Sequence, residues 1–364
     1  MKFIFDCRYT RIGRHDGISR YTAGVVEAFS TLHPVTMLIS DERQLDNLPD
    51  LPWLMGRDPT SLREPWIARI VNRANPDVVF SPMQTMGSGG RNYRLILTLH
   101  DLIYYNNPTP PRDLPWVIRL GWRLYHLAYW PQRMVLNRAD AVVTGTYAAE
   151  AQIEAHRLTD RPITVVSSAV DPPAHLRTST RERTLVYMGS FMPYKNVESV
   201  AKAMHALPGY RLQLLSRISD NDRARFAALA PAGAIEFFDG VSDEQYQGLL
   251  SFTTALVSAS LEEGFGIPLI EALAIGTPVA CSDIPVFREV GGDAAVYFDP
   301  RDPADIARAV LSLEAAGEWE KRSALAPDQA AKFTWVNSAK RLLALALSLA
   351  DRSESDSARL PTLN

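Results

Sequence analysis

Cysteine is nearly absent from this chain of 364 residues: only Cys7 and Cys281 occur, and neither sits in a Cys-x-x-Cys pair or a Cys/His cluster. No disulfide framework can be built from them, structural zinc is not expected, and a reducing, cytoplasmic setting fits. Charge of one sign is also lacking. The formal net charge is -3, so no global basic field advertises nucleic acid as a partner. No apolar run approaches the ~20 residues of a membrane-spanning helix. The opening Met1-Lys2-Phe3-Ile4-Phe5-Asp6 reads as a short strand rather than a signal peptide, because no long apolar region or small-residue cleavage site follows. Missing too are the HExxH, GxSxG, Walker and GxGxxG patterns. Gly87-Ser88-Gly89-Gly90 lacks the last spacing and precedes a strand, not a helix. There is no short-period repeat and no low-complexity tract.

What the chain has is an ordinary globular composition, 46% hydrophobic and 22% charged, at a length that fits two domains. Short β-branched or apolar runs alternate with helical patterns. Strands are expected at 3–5, 35–39, 77–80, 94–99, 141–144 and 163–166, with helices at 19–32, 67–75, 116–137 and 147–157 between them. A stretch rich in Pro, Thr, Arg and Ser, 171–183, reads as a linker. The alternation then restarts, with strands at 184–188, 211–215, 235–238, 255–258, 278–281 and 295–298. Helices are expected at 197–206, 221–230, 242–251, 268–275, 303–313 and 335–350. The expected domains are 1–172 and 183–332, followed by a C-terminal helix and frayed tail over 333–364. Such alternation implies α/β domains with parallel sheets, whose ligands lie outside the carboxyl ends of the strands, here in a crevice between the domains. The loops after strands are therefore the informative places.

The strongest of these loops is Glu262-Glu263-Gly264-Phe265-Gly266-Ile267-Pro268-Leu269-Ile270-Glu271, which follows the apolar strand at 255–258 and runs to Gly276-Thr277-Pro278. Gly264 and Gly266 permit unusual backbone angles and close approach of a ligand. Pro268 suits a first helical turn and Gly276 a C-terminal cap. Residues Gly264, Phe265, Gly266 and Ile267 should then present free N–H groups at a helix N-terminus, an anion site suited to a diphosphate. Glu263 and Glu271, spaced Glu-x7-Glu, bracket it, and a carboxylate suits a pair of sugar hydroxyls. Taken singly, Glu271 would suit the helix dipole and Glu263 a solvated loop. The double glycine after a buried strand favours function.

At these residues the chain resembles the retaining glycosyltransferases of family 4, whose signature is this Glu-x7-Glu block. The resemblance continues through Cys281-Ser282-Asp283-Ile284-Pro285 and Glu289-Val290-Gly291-Gly292-Asp293-Ala294-Ala295. It includes Phe238-Asp239-Gly240-Val241-Ser242-Asp243-Glu244, where the family holds the nucleotide base, and so points to Val241. It is nearly end to end and strongest over 184–300. It implies the GT-B fold, two Rossmann-like doubly wound domains facing across a cleft, with the C-terminal helix crossing back to the first domain. By the same resemblance Glu263 contacts the donor sugar and Glu271 the ribose.

Gly189-Ser190-Phe191-Met192-Pro193-Tyr194-Lys195-Asn196 resembles the family's phosphate-binding loop, in which Lys195 would neutralise the leaving diphosphate. Ser190 or Tyr194 stands where many relatives carry a second cation. Arg217, in the loop after the strand at 211–215, is a candidate replacement. His100, at the end of the strand at 94–99, matches a family histidine near the reacting carbon, and Asp101 would orient its loop. Gly13-Arg14-His15-Asp16-Gly17-Ile18-Ser19-Arg20-Tyr21 resembles the family's glycine loop, with Gly17 toward the donor. Arg20 would bind phosphate or an acceptor, or is equally an exposed helix arginine.

The stretch 116–138 interleaves Trp116, Trp122 and Trp130 with Arg119, Arg123, Arg133 and Arg138. It suits either a peripheral membrane contact or a helix packed on the first sheet with snorkelling arginines. Asp220-Asn221-Asp222 has the Asp-x-Asp form of a metal triplet but fits helix capping better.

The resemblance implies metal-independent, cofactor-free transfer of a hexose, foremost mannose from GDP-mannose with UDP-sugars behind. The acceptor would be a glycan or lipid-linked saccharide of bacterial surface polysaccharide, made at the inner face of the cytoplasmic membrane. Sugar-nucleotide epimerases and sugar phosphorylases share the architecture, and a non-catalytic nucleotide-sugar-binding subunit is the third reading.

Overall fold

The computed structural model describes residues 1–13, 15–108, 116–173, 176–177 and 180–358, without the side chains of Val117 and 352–358. Arg14 of the glycine loop, 174–175 and 178–179 of the stretch read as a linker, and 359–364 of the tail lie outside the described residues. The chain divides into two compact units, one of residues 1–169 with the chain from Thr334 onward, the other Val170–Phe333.

The first unit holds a sheet of seven parallel strands: β1 (Phe3–Asp6), β2 (Val35–Ile39), β3 (Trp53–Met55), β4 (Val78–Ser81), β5 (Arg94–Thr98), β6 (Ala141–Thr144) and β7 (Ile163–Val165). Their order is β3-β2-β1-β4-β5-β6-β7, with β1 hydrogen-bonded to both β2 and β4. β1, β4 and β6 are buried at every residue, as near-continuous apolar strands covered on both faces must be. Phe3, Phe5, Phe80 and Ile96 pack on one face against Val25 and Phe29 and against Ala339, Leu342 and Ala346 of the helix Trp335–Ala358. Ile4, Val79 and Leu95 pack on the other against Ile67 and Val71. The helix Trp335–Ala358 belongs to this unit. A Cβ on Gly24 would meet the Trp335 ring at 2.3 Å, so only glycine lets that ring lie against the helix Gly17–Ser30.

The second unit holds six parallel strands: β8 (Thr184–Tyr187), β9 (Arg211–Leu214), β10 (Ile235–Phe237), β11 (Ala255–Ser258), β12 (Val279–Ser282) and β13 (Ala295–Phe298), in the order β10-β9-β8-β11-β12-β13. In both sheets the strand order reverses beside the first strand, at β1/β4 and at β8/β11. The loops leaving the carboxyl ends part there and open a place for a ligand.

Two expectations about elements are corrected. The helix expected at 116–137 is broken into Trp116–Tyr125 and Trp130–Leu136. Pro131 has no N–H to donate to the carbonyl four residues back, and its ring collides with that carbonyl, which favours a break before it. Helices Pro285–Gly291 and Glu318–Ala330 and the edge strand β3 were not expected. Glu318–Ala330 contains Pro327, which spoils its helical pattern, yet burial of Trp319, Ala326 and Ala330 holds it.

Candidate active site

In the second unit the chemistry collects at the β8/β11 reversal. After β11 the chain forms the loop 259–266 and then the helix Ile267–Ile275, with Pro268 in its first turn. Of the two loop glycines only Gly266 takes a positive φ, +96°, as the residue that opens the helix. A Cβ there would lie 2.9 Å from the Phe287 ring, so glycine is required twice over. Gly264 has no such angle, which corrects the expectation for it. The N–H groups of Phe265, Gly266 and Ile267 donate to no backbone carbonyl among the described residues. Phe265 and Gly266 are buried, with the Phe265 ring edge-on to Phe333 at 5.4 Å, while Gly264, Ile267 and Pro268 are half-buried. Gly276, φ +95°, ends the helix as expected. Glu271 is half-buried, one turn beyond the helix tip.

Glu263 and Lys195 meet. The Lys195 ammonium donates to Glu263 Oε1 at 2.5 Å, and the Ser260 hydroxyl donates to the same oxygen at 2.8 Å. The two side chains are 17% and 13% exposed, so the pair is largely shielded from solvent screening. Lys195 ends the short turn Pro193–Lys195, and Asn196 follows in the left-handed region at φ 51°. Asn196 Nδ2 donates to the carbonyls of Ala259, 3.2 Å, and Pro300, 2.6 Å, and thereby ties together the loops after β8, β11 and β13. Leu261 N also donates to Tyr194 O at 2.8 Å. The sequence reading passed over Asn196, although an asparagine beside Lys195 at a helix entrance is the residue type that tolerates a left-handed angle. Ser190 is exposed, and its carbonyl accepts from the Tyr187 hydroxyl at 2.6 Å.

The loops after β9 and β10 flank this cluster. Ser216 Oγ accepts from Gly189 N at 3.1 Å, which fixes the β9 loop against the β8 loop. The next residue, Arg217, lays its aliphatic stem across Gly240, φ +104°, where a Cβ would meet it at 3.2 Å. Its exposed guanidinium makes no hydrogen bond or ion pair with the described residues. Val241, half-buried, follows Gly240 and precedes the Ser242–Gln245 capping box.

In the first unit, Asp16 caps the helix Gly17–Ser30 by accepting from Ser19 N and Ser19 Oγ, both at 2.9 Å. Burial opposes ionisation of Asp16, but these bonds and the Arg11 guanidinium outweigh it and hold the carboxyl below its usual range. Gly17 is exposed and opens the helix. The left-handed glycine of this loop is Gly13, φ +73°. Arg20 is half-buried on the same helix. Tyr21 stands edge-on to His100, ring centroids 5.1 Å apart. His100 Nε2 lies 2.8 Å from the Pro82 carbonyl. A carbonyl only accepts, so Nε2 carries the proton and Nδ1 keeps a lone pair with no partner among the described residues. Burial pushes the His100 pKa down, and the Pro82 bond only partly restores it. Asp101 Oδ1 accepts from Ile103 N at 3.0 Å and so orients the loop.

The β1 side of this reversal carries a cluster the sequence reading missed. The buried Arg8 guanidinium lies between Asp6, 2.8 Å, and Glu64, 2.7 Å. Burial alone would lower its pKa, but the two carboxylates raise it. Asp6 also accepts from Ser81 Oγ at 3.0 Å and Glu64 from Gly87 N at 3.2 Å. This cluster locks the loops around β1 and β4. Arginine two residues after a strand aspartate was its only local sign.

No group of three or more His, Cys, Asp or Glu among the described residues could hold a metal ion. Asp220 and Asp222 lie in the first turn of the helix Asp220–Leu229, where Ser219 is the cap and accepts from Asp222 N at 3.2 Å.

Two family models match the chain, "Glycosyl transferases group 1" over residues 173–330 and "Glycosyltransferase Family 4" over residues 15–173. The O-antigen chain mannosyltransferase RfbU of Salmonella typhimurium is 30% identical over 187 residues, 50% of this chain and 53% of that protein. A GDP-mannose:cellobiosyl-diphosphopolyprenol alpha-mannosyltransferase of Xanthomonas oryzae is 26% identical over 249 residues, 62% of this chain and 66% of that one. The chain thus spans about half the length of the first relative and just under two thirds of the second. Among solved structures, Anabaena HepE in complex with UDP and glucose matches with a TM-score of 0.71 over 96% of this chain and 100% of that one, at 13% identity. The architecture is the α/β GT-B fold.

Proposed function

Since the chain belongs to the group 1, family 4 glycosyltransferases, we propose that it transfers a hexose from a nucleoside diphosphate sugar to a glycan or lipid-linked saccharide, with net retention of anomeric configuration. The observation that carries this reading is the Lys195–Glu263 pair beside a helix tip where the N–H groups of Phe265, Gly266 and Ile267 meet no backbone carbonyl among the described residues, all at the strand-order reversal of the second sheet.

The charge balance of that site defines the roles. Lys195 and Glu263 sum to zero, and the helix tip supplies only about half a positive charge. A departing diphosphate needs more, and Arg217, unpaired with the described residues between the β8 and β10 loops, is the second cation in this reading. The diphosphate then lies on the N–H groups at Gly264, Phe265, Gly266 and Ile267, with Glu271 on the ribose and Val241 beside the base. Ser190 borders the diphosphate, and Gly17 keeps the donor-side role that the family's glycine loop implies. Glu263 is assigned to sugar hydroxyls, and His100, whose Nδ1 keeps an acceptor lone pair, takes by family resemblance the role of the histidine near the reacting carbon. Arg20 is assigned to the acceptor.

In the transfer, the bond from the anomeric carbon to the phosphate oxygen breaks while the bond to the acceptor oxygen forms on the same face. The acceptor proton passes to the departing phosphate, so no side-chain base is required. Preorganised cations and amides stabilise the charge on the leaving group, so this reading includes no metal and no cofactor. The relatives' names favour GDP-mannose as donor and surface polysaccharide as product, and the UDP and glucose of the HepE complex favour a UDP-hexose next.

A panel of nucleotide sugars scored by thermal shift, followed by product analysis with the stabilising donor, tests the reading. One nucleotide sugar should raise the melting temperature and be consumed with its anomeric configuration kept. Inorganic phosphate as the required co-substrate, or inversion at the anomeric carbon, would overturn it.

A further inference from the structure

The first unit also carries exposed apolar side chains in one short stretch. Trp116, Leu120, Leu124, Leu127 and Trp130 are between 51% and 76% exposed, all within fifteen residues. Trp116, Leu120 and Leu124 recur every four positions and so share an arc of about 80° on the helix Trp116–Tyr125. On the other side of this helix Trp122 and Tyr125 pack, while Ile118 in the first turn is 53% exposed. Trp122 lies 4.9 Å from Tyr104 and 4.1 Å from His126, and the Tyr125 hydroxyl donates to Gln132 at 2.8 Å. A helix packed on the sheet through its large apolar side chains is thereby excluded: the aromatic cluster holds one face and leaves the leucines outward.

Charge says what covers them. Residues 116–139 contain four arginines and no aspartate or glutamate. Arg133 is spent on the carbonyls of His156 and Arg157. Arg119 and Arg123, on the flank of the apolar arc, and Arg138 make no ion pair among the described residues. A protein partner would leave such side chains to be matched one by one, whereas an anionic lipid surface takes up tryptophan, leucine and arginine at different depths without further matching. No described helix is long and apolar enough to cross a membrane.

We propose that residues 116–130 form a peripheral docking surface for an anionic bilayer, with Trp116, Leu120, Leu124, Leu127 and Trp130 in the interface and Arg119 and Arg123 among the headgroups. The surface goes beyond the transferase reading and does not depend on it. In life it would hold the first unit where a lipid-linked acceptor presents its saccharide.

The test is cosedimentation of the full chain with vesicles of phosphatidylcholine alone and of phosphatidylcholine with one-third phosphatidylglycerol. The wild type should partition to the mixed vesicles roughly tenfold more strongly than to the neutral ones. The double substitution Leu120→Ser, Leu124→Ser should lower that partitioning roughly tenfold. It should leave the melting temperature and donor binding unchanged, because the side chains face outward. Arg119→Gln with Arg123→Gln should remove the preference for the anionic vesicles. Equal sedimentation of wild type and leucine variant would overturn the proposal. So would no sedimentation with either vesicle, or a lipid-free oligomer that the leucine variant dissociates.

Discussion

The Lys195 ammonium stands 2.5 Å from Glu263 Oε1 and joins the loop after β8 to the loop after β11, 68 residues later. Removing the cation should leave a shielded carboxylate beside the bound diphosphate. Lys195→Ala is expected to lower kcat/KM by roughly 10²–10³-fold and stability by about 1–3 kcal/mol. Glu263→Gln retains an acceptor for Ser260 and should cost less stability while still slowing transfer. Steady-state kinetics with urea unfolding of both variants checks this, and near-wild-type turnover in both would refute the site.

Gly266 and Gly276 separate binding from folding. Both hold left-handed angles, so alanine at either should cost about 1–2 kcal/mol from backbone strain. Only at Gly266 does the new Cβ come within 3.0 Å of a side chain, the Phe287 ring, and only there does the backbone form the helix tip. Calorimetric titration with nucleoside diphosphate should show weakened binding for Gly266→Ala and near-normal binding for Gly276→Ala. Equal affinities would show that the tip does not hold the phosphates.

The His100 imidazole should titrate below its ordinary value of 6.5, because burial disfavours the charged ring. The unfolded chain then takes up this proton before the folded one does. The stability that the neutral ring contributes is complete above pH 6.5 and falls as the pH drops from there through the lower folded-state value. NMR titration of the ring protons reads the midpoint, and a value at or above 6.5 would contradict the buried, Pro82-bonded tautomer. In the transferase reading, donor affinity weakens as the pH falls through the lowered folded-state value, since protonated Nδ1 no longer accepts from a hydroxyl.

Arg217 has no described partner to lose, so Arg217→Ala should leave the melting temperature nearly unchanged. Its affinity for nucleoside diphosphate should drop by roughly tenfold, the worth of one charge-assisted contact, while the affinity for the free nucleoside stays the same. Arg217→Lys should recover part of the loss. A parallel loss for nucleoside and nucleoside diphosphate would place Arg217 on the base instead.

Much of this molecule was legible in the chain alone. Strand and helix alternation, the positive angles of Gly266 and Gly276 and the helix entry at Pro268 follow from side-chain chemistry within a few residues. The break at Pro131 was equally local and was overlooked because the apolar pattern runs past it. What local chemistry cannot encode is which distant loops share one end of a sheet. The Lys195–Glu263 pair, the Asn196 bonds to Ala259 and Pro300, and the proton on His100 Nε2 set by Pro82 exist only once strand order has brought those loops together. The same holds for Trp116, Leu120 and Leu124. Periodicity shows that they share a face, but only the packing of Trp122 and His126 decides that this face is the one left outside.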